Sequence, residues 1–382
     1  MHVCLVYDCL YPYTVGGAER WYRNLGERLA ASGHEVTFLT RRQWERDADV
    51  DVPGVRVIAV SPRMELYAGG RRRLLPPVLF GLGVLRHLLR HGRRYDVVHA
   101  ASFPYFSLLA AGAMRKRGRY RLVVDWHEVW TREYWRTYVG RTAGWIGWRI
   151  QRACLRVPQR AFCFSRLHEQ RLREERVAGH VTRLEGQYAG AAPPEEPHEA
   201  RPVAVFAGRH IPEKRVPALV PAFAEAAESI PGFRGEIYGD GPERGAVLGA
   251  IERAGLTDRV TAPGFVDGDV LEHALATALC FVLPSQREGY GLVVIESAAQ
   301  GVPSVVVAGP DNAATELVEE GANGIVAASV RADDLAAAIV RVHEEGTQLR
   351  RSTLEWFRRN AERLSLESSL QVVLREYESA AS

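Results

Sequence analysis

The sequence predicts an α/β protein of two Rossmann-like domains, each carrying a mostly parallel sheet. Three features of its 382 residues point there. Buried-strand patterns alternate with helical ones through residues 2–164, and a second such series begins at 202; repeated β-α alternation builds parallel sheets covered on both faces. Between the two series, AGAAPPEEPHEARP (189–202) is rich in Ala, Pro and Glu without periodicity and reads as an interdomain linker. The halves also differ in charge. Residues 1–200 hold 32 basic and 20 acidic side chains (+12), and residues 201–382 hold 17 and 26 (−9), within a net charge of +3.

Composition narrows the class. With 47% hydrophobic and 25% charged residues, the chain has the makeup of a soluble globular protein with room for two cores. The five cysteines (Cys4, Cys9, Cys154, Cys163, Cys280) are odd in number and contain no C-x-x-C pair, so neither a disulfide framework nor a zinc site is expected. MHVCLVYD begins a strand at once without a leader, and no apolar run reaches the ~18 residues that a membrane span needs. A cytosolic protein is expected. Nearly all the basic residues are arginine; Lys116 and Lys214 are the two lysines. Lys116 lies in Arg115-Lys116-Arg117 and reads as solvated charge, which leaves Lys214 as the informative one.

In the first half, HVCLVYD (2–8) is a buried strand and CLYPYTVGG (9–17) a loop. The helix at 18–31 sets Trp21, Leu25 and Leu29 on one face, and HEVTFLT (34–40) is the next strand. Gly16 and Gly17 can bring backbone N–H groups to a phosphate or sugar oxygen at the helix start, or simply form a turn; no G-x-G-x-x-G is present for a dinucleotide. Further strands are predicted at 55–60, 95–99, 121–125 and 160–164. Residues just past strand ends line the ligand crevice of such sheets, which selects His99, the run Asp125-Trp126-His127-Glu128, and Ser165. His127 is the strongest catalytic candidate among them, the alternative being a structural hydrogen-bonding histidine.

Two stretches of this half mix arginine with apolar or aromatic residues. RRRLLPPVLFGLGVLRHLLRHGRR (71–94) sets an apolar run between arginine clusters, and residues 126–148 hold Trp126, Trp130, Trp135, Trp145 and Trp148 among arginines. Such mixtures suit a membrane interface, where rings sit at headgroup depth and guanidinium groups meet lipid phosphates. A helix packed on the sheet with a substrate-lining loop accounts for them equally. No nucleic-acid partner is expected, because the excess positive charge is spread over 200 residues and forms no recognisable module.

The second series has strands at 202–208, 235–241, 259–264, 278–284 and 303–309, followed after about 348 by two helical stretches. In GRHIPEKR (208–215), Arg209 and Lys214 stand five apart across a turn at a strand's carboxyl end and can converge on one pyrophosphate. GDGPER (239–244) fails as a dinucleotide fingerprint and reads as a tight strand-to-helix turn. The D-x-D pairs Asp47/Asp49, Asp49/Asp51 and Asp267/Asp269 read as turn and helix-start chemistry, so no metal site is expected. The stretch that organises this half is FVLPSQREGYGLVVIESAAQGVPSVVV (281–307): strand, glycine-broken loop, helix, strand. Its Glu288 and Glu296 lie beside a helix N-terminus that attracts anions, an arrangement suited to a ligand with both phosphates and hydroxyls. Alone, the pair also reads as a solvated loop acid and a macrodipole complement.

Taken in order, GGAER (16–20), DWHEVW (125–130), FAGRHIPEKR (206–215), IYGDGPER (237–244), PGFV (263–266) and PSQREGYGLVVIESAAQGVPSVV (284–306) resemble the retaining glycosyltransferases of the GT4 kind across nearly the whole chain. The resemblance implies a GT-B fold, in which two Rossmann-like domains face one another across a cleft. It implies an N-terminal acceptor-binding domain (1–190), a linker (191–201), a nucleotide-sugar-binding domain (202–350) and C-terminal helices (351–382) returning to the first domain. By motif position, Arg209 and Lys214 would bind the donor pyrophosphate. Glu288 would hold hydroxyls of the transferred sugar, the backbone of Gly289, Tyr290, Gly291 and Leu292 its oxygens, and Glu296 the ribose. His127 would act near the reacting carbon, and Gly16 and Gly17 would abut phosphate or acceptor. The implied activity is metal-independent, cofactor-free, retaining transfer from a UDP- or GDP-type sugar to an acceptor hydroxyl. The acceptor expected is a lipid-linked or cell-envelope saccharide, with peripheral contact to the inner membrane face through the basic Trp-rich domain. Glycosylation of a soluble natural product, or nucleotide-sugar epimerisation, is the alternative. Two departures from the pattern are Tyr290 in place of the commoner Phe and SLE (365–367) without the Trp often found there.

Overall fold

The computed structural model describes residues 1–45, 48, 50–65, 67–68 and 71–378. Asp47 and Asp49, members of the first D-x-D pairs, lie outside these residues. The chain forms two compact units, one of Met1–Leu184 joined by the chain from Ser369 on, the other of Glu185–Ser368.

The first unit is built on seven parallel strands: β1 (His2–Val6), β2 (Glu35–Arg41), β3 (Val55–Ser61), β4 (Val97–Ala101), β5 (Arg121–Trp126), β6 (Gln159–Cys163) and β7 (Gly179–Arg183). Their order is β3-β2-β1-β4-β5-β6-β7, with Val3 in register with Val36 on one side and Val97 on the other. The direction of winding reverses between β1 and β4, which makes the carboxyl ends of those strands a natural crevice. The helices are α1 (Gly17–Ala31), α2 (Leu75–His91), α3 (Tyr105–Gly118), α4 (Arg132–Val139), α5 (Arg141–Leu155) and α6 (Arg166–Glu174). Trp21, Leu25 and Leu29 form the buried stripe of α1, as their spacing predicts. Gly26 sits where an added Cβ would press on Leu5 and Val55 at 3.3 Å, so that residue sets how close α1 approaches the sheet.

The second unit carries six parallel strands: β8 (Val203–Ala207), β9 (Arg234–Tyr238), β10 (Val260–Gly264), β11 (Cys280–Leu283), β12 (Ser304–Val307) and β13 (Gly324–Ala327), ordered β10-β9-β8-β11-β12-β13. Here the winding reverses between β8 and β11. Helices α7 (Leu219–Ser229), α8 (Arg244–Arg253), α9 (Gly268–Ala276) and α10 (Leu292–Ala299) alternate with the strands. They are followed by α11 (Ala332–Leu364), kinked at Gly346 where φ is 53°, and α12 (Leu366–Glu378).

Two features depart from the sequence expectation. The edge strands β7 and β13 were not foreseen, being five and four residues of weak pattern. Residues 191–201 and 351–368 both fall within the second unit. Arginines of α11 hold the former stretch: Arg358 Nη2 donates to the carbonyls of Pro194 (2.6 Å) and Glu195 (2.7 Å), and Arg351 lies 3.4 Å from Glu196. Among the described residues no helix is long and apolar enough to cross a membrane.

Candidate active site

In the second unit, the loops that follow β8 and β11 lie at the switch point, where open α/β sheets bind ligands. They are stitched together by backbone and side chain. Gln286 N donates to Glu213 O at 2.8 Å, and Arg287 Nη2 lies 3.4 Å from the buried Glu213 carboxylate. These contacts bring Lys214 to Glu288, 74 residues later in sequence, in a half-buried ion pair. The same Glu288 oxygen accepts from Ser285 Oγ at 2.6 Å. Ser285 in turn is held through its carbonyl by Asn312 Nδ2 (3.2 Å), whose amide also donates to Val307 O (2.8 Å). The carboxylate is thus fixed in place on a loop anchored to two strand ends.

Glu288 leads directly into α10. Gly291 caps that helix at φ 107°, a left-handed conformation in which a Cβ would also strike Ala314 at 2.7 Å, so glycine is required twice over. The opening N–H groups at Leu292 and Val293 have no partner within the helix and lend the loop positive potential. No acidic residue occupies the first turn to neutralise it. Glu296 stands one turn further along α10, half-buried; its charge and that of Glu272 add to burial in raising the Tyr188 phenol to about 12. Gly289 and Tyr290 complete the loop. The Tyr290 ring is buried and its hydroxyl donates to Glu185 O, so the side chain anchors the loop and only its backbone is available to a ligand.

Arg209 is exposed immediately beyond β8. The loop bearing it is knitted to GDGPER: Gly208 N donates to Tyr238 O (3.1 Å), His210 N to Asp240 O (2.8 Å) and Glu243 N to His210 O (2.9 Å). A Cβ at Gly239 would lie 1.9 Å from Gly208 O, which explains the glycine of that turn. The structure therefore brings Lys214 and Glu288 into contact and sets Arg209 and the α10 terminus on the loops around them.

In the first unit, Gly16 and Gly17 open α1 beyond β1. A Cβ at Gly16 would meet the buried Glu19 carboxylate at 2.4 Å, so glycine admits that side chain over the helix start. His127 follows β5, half-buried, stacked on Phe164 at 4.7 Å and 3° and edge-on to Tyr22. Its Nε2 is buried with no hydrogen-bond partner. Burial lowers the ring's pKa from the usual imidazole value, against the pull of Asp125, Glu19 and Glu128, which favours the neutral ring at pH 7.

His99, Asp125 and Trp126, expected to line a crevice, do not. All three are fully buried. Asp125 accepts from Trp21 Nε1 and from His99 Nε2, each at 2.7 Å, while His99 Nδ1 shares a 2.6 Å hydrogen bond with the Tyr377 hydroxyl of α12. Trp126 Nε1 donates to Gln159 at 2.8 Å. Ser165 caps α6 through its hydroxyl. Sequence reasoning missed this buried chain, and also Ser285 and Asn312; the polar residue after Pro284 in a strand-end turn was the available signal for Ser285.

Residues 16–185 match the glycosyl transferase 4-like domain, and residues 191–362 match the glycosyl transferases group 1 family. The alpha-D-kanosaminyltransferase of Streptomyces kanamyceticus is 32% identical over 145 residues, a match spanning 38% of this chain and 37% of that enzyme's length. Among solved structures, the sucrose-phosphate synthase of Thermosynechococcus elongatus superposes with a TM-score of 0.81 at 22% identity, covering both chains fully. The Anabaena HepE protein in complex with UDP-glucose gives 0.72 at 16% identity over 99% of this chain and 100% of that one. With two family domains in tandem over most of its length and two parallel α/β units of GT-B type, the chain belongs to the GT4-like, group 1 glycosyltransferases.

Proposed function

We propose that the chain transfers a hexose, with retention, from a nucleoside-diphosphate sugar to an acceptor hydroxyl, the second unit holding the donor and the first the acceptor. The observation that carries this reading is the Lys214–Glu288 ion pair beside the α10 N-terminus. Each charge is compensated by the other. An incoming diphosphate draws Lys214 and the helix N–H groups to its oxygens, with Arg209 as a further cation, and releases Glu288 to accept hydrogen bonds from sugar hydroxyls. As the anomeric bond breaks, negative charge grows on the departing diphosphate, where these groups can neutralise it. Lys214 and Arg209 serve as counter-charge in place of a divalent cation, so turnover is expected to persist in EDTA.

Glu296 and the backbone of Gly289, Tyr290, Gly291 and Leu292 complete the donor cradle in this reading. In the first unit, His127 offers a neutral ring with an unpartnered nitrogen suited to a sugar hydroxyl, and Gly16 and Gly17 offer backbone N–H groups. The acceptor proposed is a lipid-linked or cell-envelope saccharide. A soluble small-molecule or natural-product acceptor is the second reading, favoured by the similarity to the 2-deoxystreptamine glucosyltransferase of Streptomyces kanamyceticus, 31% identical over 149 residues.

The test is a product assay with UDP- and GDP-hexoses, with and without saccharide acceptors. Lys214→Ala and Glu288→Ala are each expected to lower kcat/KM by about 100-fold or more, the range for losing one preorganised transition-state contact, with an unchanged circular dichroism spectrum. Normal turnover in either variant contradicts the assignment, and sugar interconversion without an acceptor identifies an epimerase instead.

A further inference from the structure

We infer that the α4–α5 hairpin of the first unit docks on an anionic phospholipid bilayer. The two helices meet at Gly140, whose φ of 86° permits the abrupt turn between them. Their inner faces are tightly fitted: a Cβ at Gly144 would lie 2.4 Å from Trp135 O, and one at Gly147 would lie 2.4 Å from the Trp135 ring. Trp135 is buried and its Nε1 donates to the buried Gln151, so the hairpin is a rigid part of the core and not a loose flap.

The outer face is of the opposite character. Tyr138, Val139, Trp145 and Ile146 are exposed together at the hairpin tip, Trp145 by 50% and Ile146 by 48%. Isolated surface apolar residues are ordinary, but these four fall within nine residues of chain, in the adjoining ends of two helices. Around them stand Arg132, Arg136 and Arg141, which with Thr142 and Trp145 line an open concavity of about 400 Å3. None of these three arginines forms an ion pair among the described residues. Arg149, one turn beyond Trp145, lies 5.8 Å from its ring centroid. Residues 132–155 hold five arginines and a single acid, Glu133. Moreover, α5 begins with neither a side-chain cap nor an acid in its first turn, so its N-terminal potential adds to that of the guanidinium groups.

An apolar tip ringed by unpaired arginines matches a lipid interface in both of its chemistries. Rings and aliphatic groups enter at headgroup depth while guanidinium groups meet phosphates. Exposed leucines on α2 (Leu75, Leu82, Leu89), in the same unit, offer apolar surface on a second helix, and α3 packs against both α2 and α5.

The experiment is vesicle co-sedimentation of the full-length protein with phosphatidylcholine alone and with phosphatidylcholine containing 30% phosphatidylglycerol. Binding is expected to the second only and to weaken as salt is raised. Arg136→Gln and Arg141→Gln are each expected to lower partitioning about fivefold, and Trp145→Ser with Ile146→Ser by at least as much. All four positions are exposed, so melting temperatures and nucleotide binding should not change, which separates this result from any failure of the transferase reading. Three results would overturn the inference: no binding to anionic vesicles; loss with the arginine variants but not with Trp145→Ser and Ile146→Ser, which indicates adsorption to any polyanion; or stabilisation by inorganic phosphate that depends on these arginines without vesicle binding.

Discussion

Asp125 and His127 are two residues apart on one motif and have opposite situations. Burial opposes ionisation of Asp125, but the electrostatic pull and hydrogen bond of His99, with His127 and Trp21 behind them, outweigh it and hold the carboxyl below its ordinary range. A depressed carboxyl stabilises the fold above the unfolded pKa, and that contribution is lost as pH falls through the folded one. Asp125→Asn should therefore cost about 2 kcal/mol at pH 7, the scale for a buried charged hydrogen bond, and flatten the stability profile below pH 4; urea titrations of both proteins from pH 7 to 3 check it. For His127 acidification acts in the same direction: burial lowers its pKa, so below the ordinary imidazole range protons favour the unfolded chain, where the ring is free to charge, and the fold is destabilised. DWHEVW identified the right strand end, yet could not tell which of its polar residues turn inward. That depends on whether a partner waits in the core, and the partners are 104, 26 and 252 positions from Asp125, counting Trp21, His99 and, through His99, Tyr377. Lys214 was legible because lysine is so rare here; its ion pair with Glu288 was not, because nothing local links the two.

At the scale of elements, strongly patterned pieces were legible and weakly patterned ones were not. The run 281–307 folds as the strand-loop-helix-strand unit its hydrophobicity dictates. By contrast, β7 (GHVTR) is half polar and β13 (GIVA) is only four residues, so each becomes a strand through its neighbour, not through its own propensity. The tryptophans of 126–148 likewise divide by packing: Trp126 and Trp135 are buried, and Trp145 alone among the five is exposed. The C-terminal helix illustrates a third case. SLE lacks the aromatic residue expected there, but α12 belongs with the first unit through buried Leu370, Val373 and Tyr377. Tyr377→Phe, which removes the hydrogen bond to His99 without a cavity, should lower stability by about 1–2 kcal/mol. Truncation after residue 368 should lower the melting temperature much further, and calorimetry of both variants checks the order.

Over the whole molecule, charge and topology divide labour in the same way. The basic half carries the arginine-ringed hairpin, and the acidic half carries its cations where two loops meet at a switch point. In the proposed reading those loops grip two linked phosphates. The direct measurement is a crystal structure of the protein soaked with a nucleoside-diphosphate hexose. The account predicts diphosphate oxygens within hydrogen-bonding distance of Lys214 Nζ and the α10 N-terminus, with Glu288 turned to the sugar. A ligand bound elsewhere, or a Lys214–Glu288 pair left intact beside it, would contradict the account.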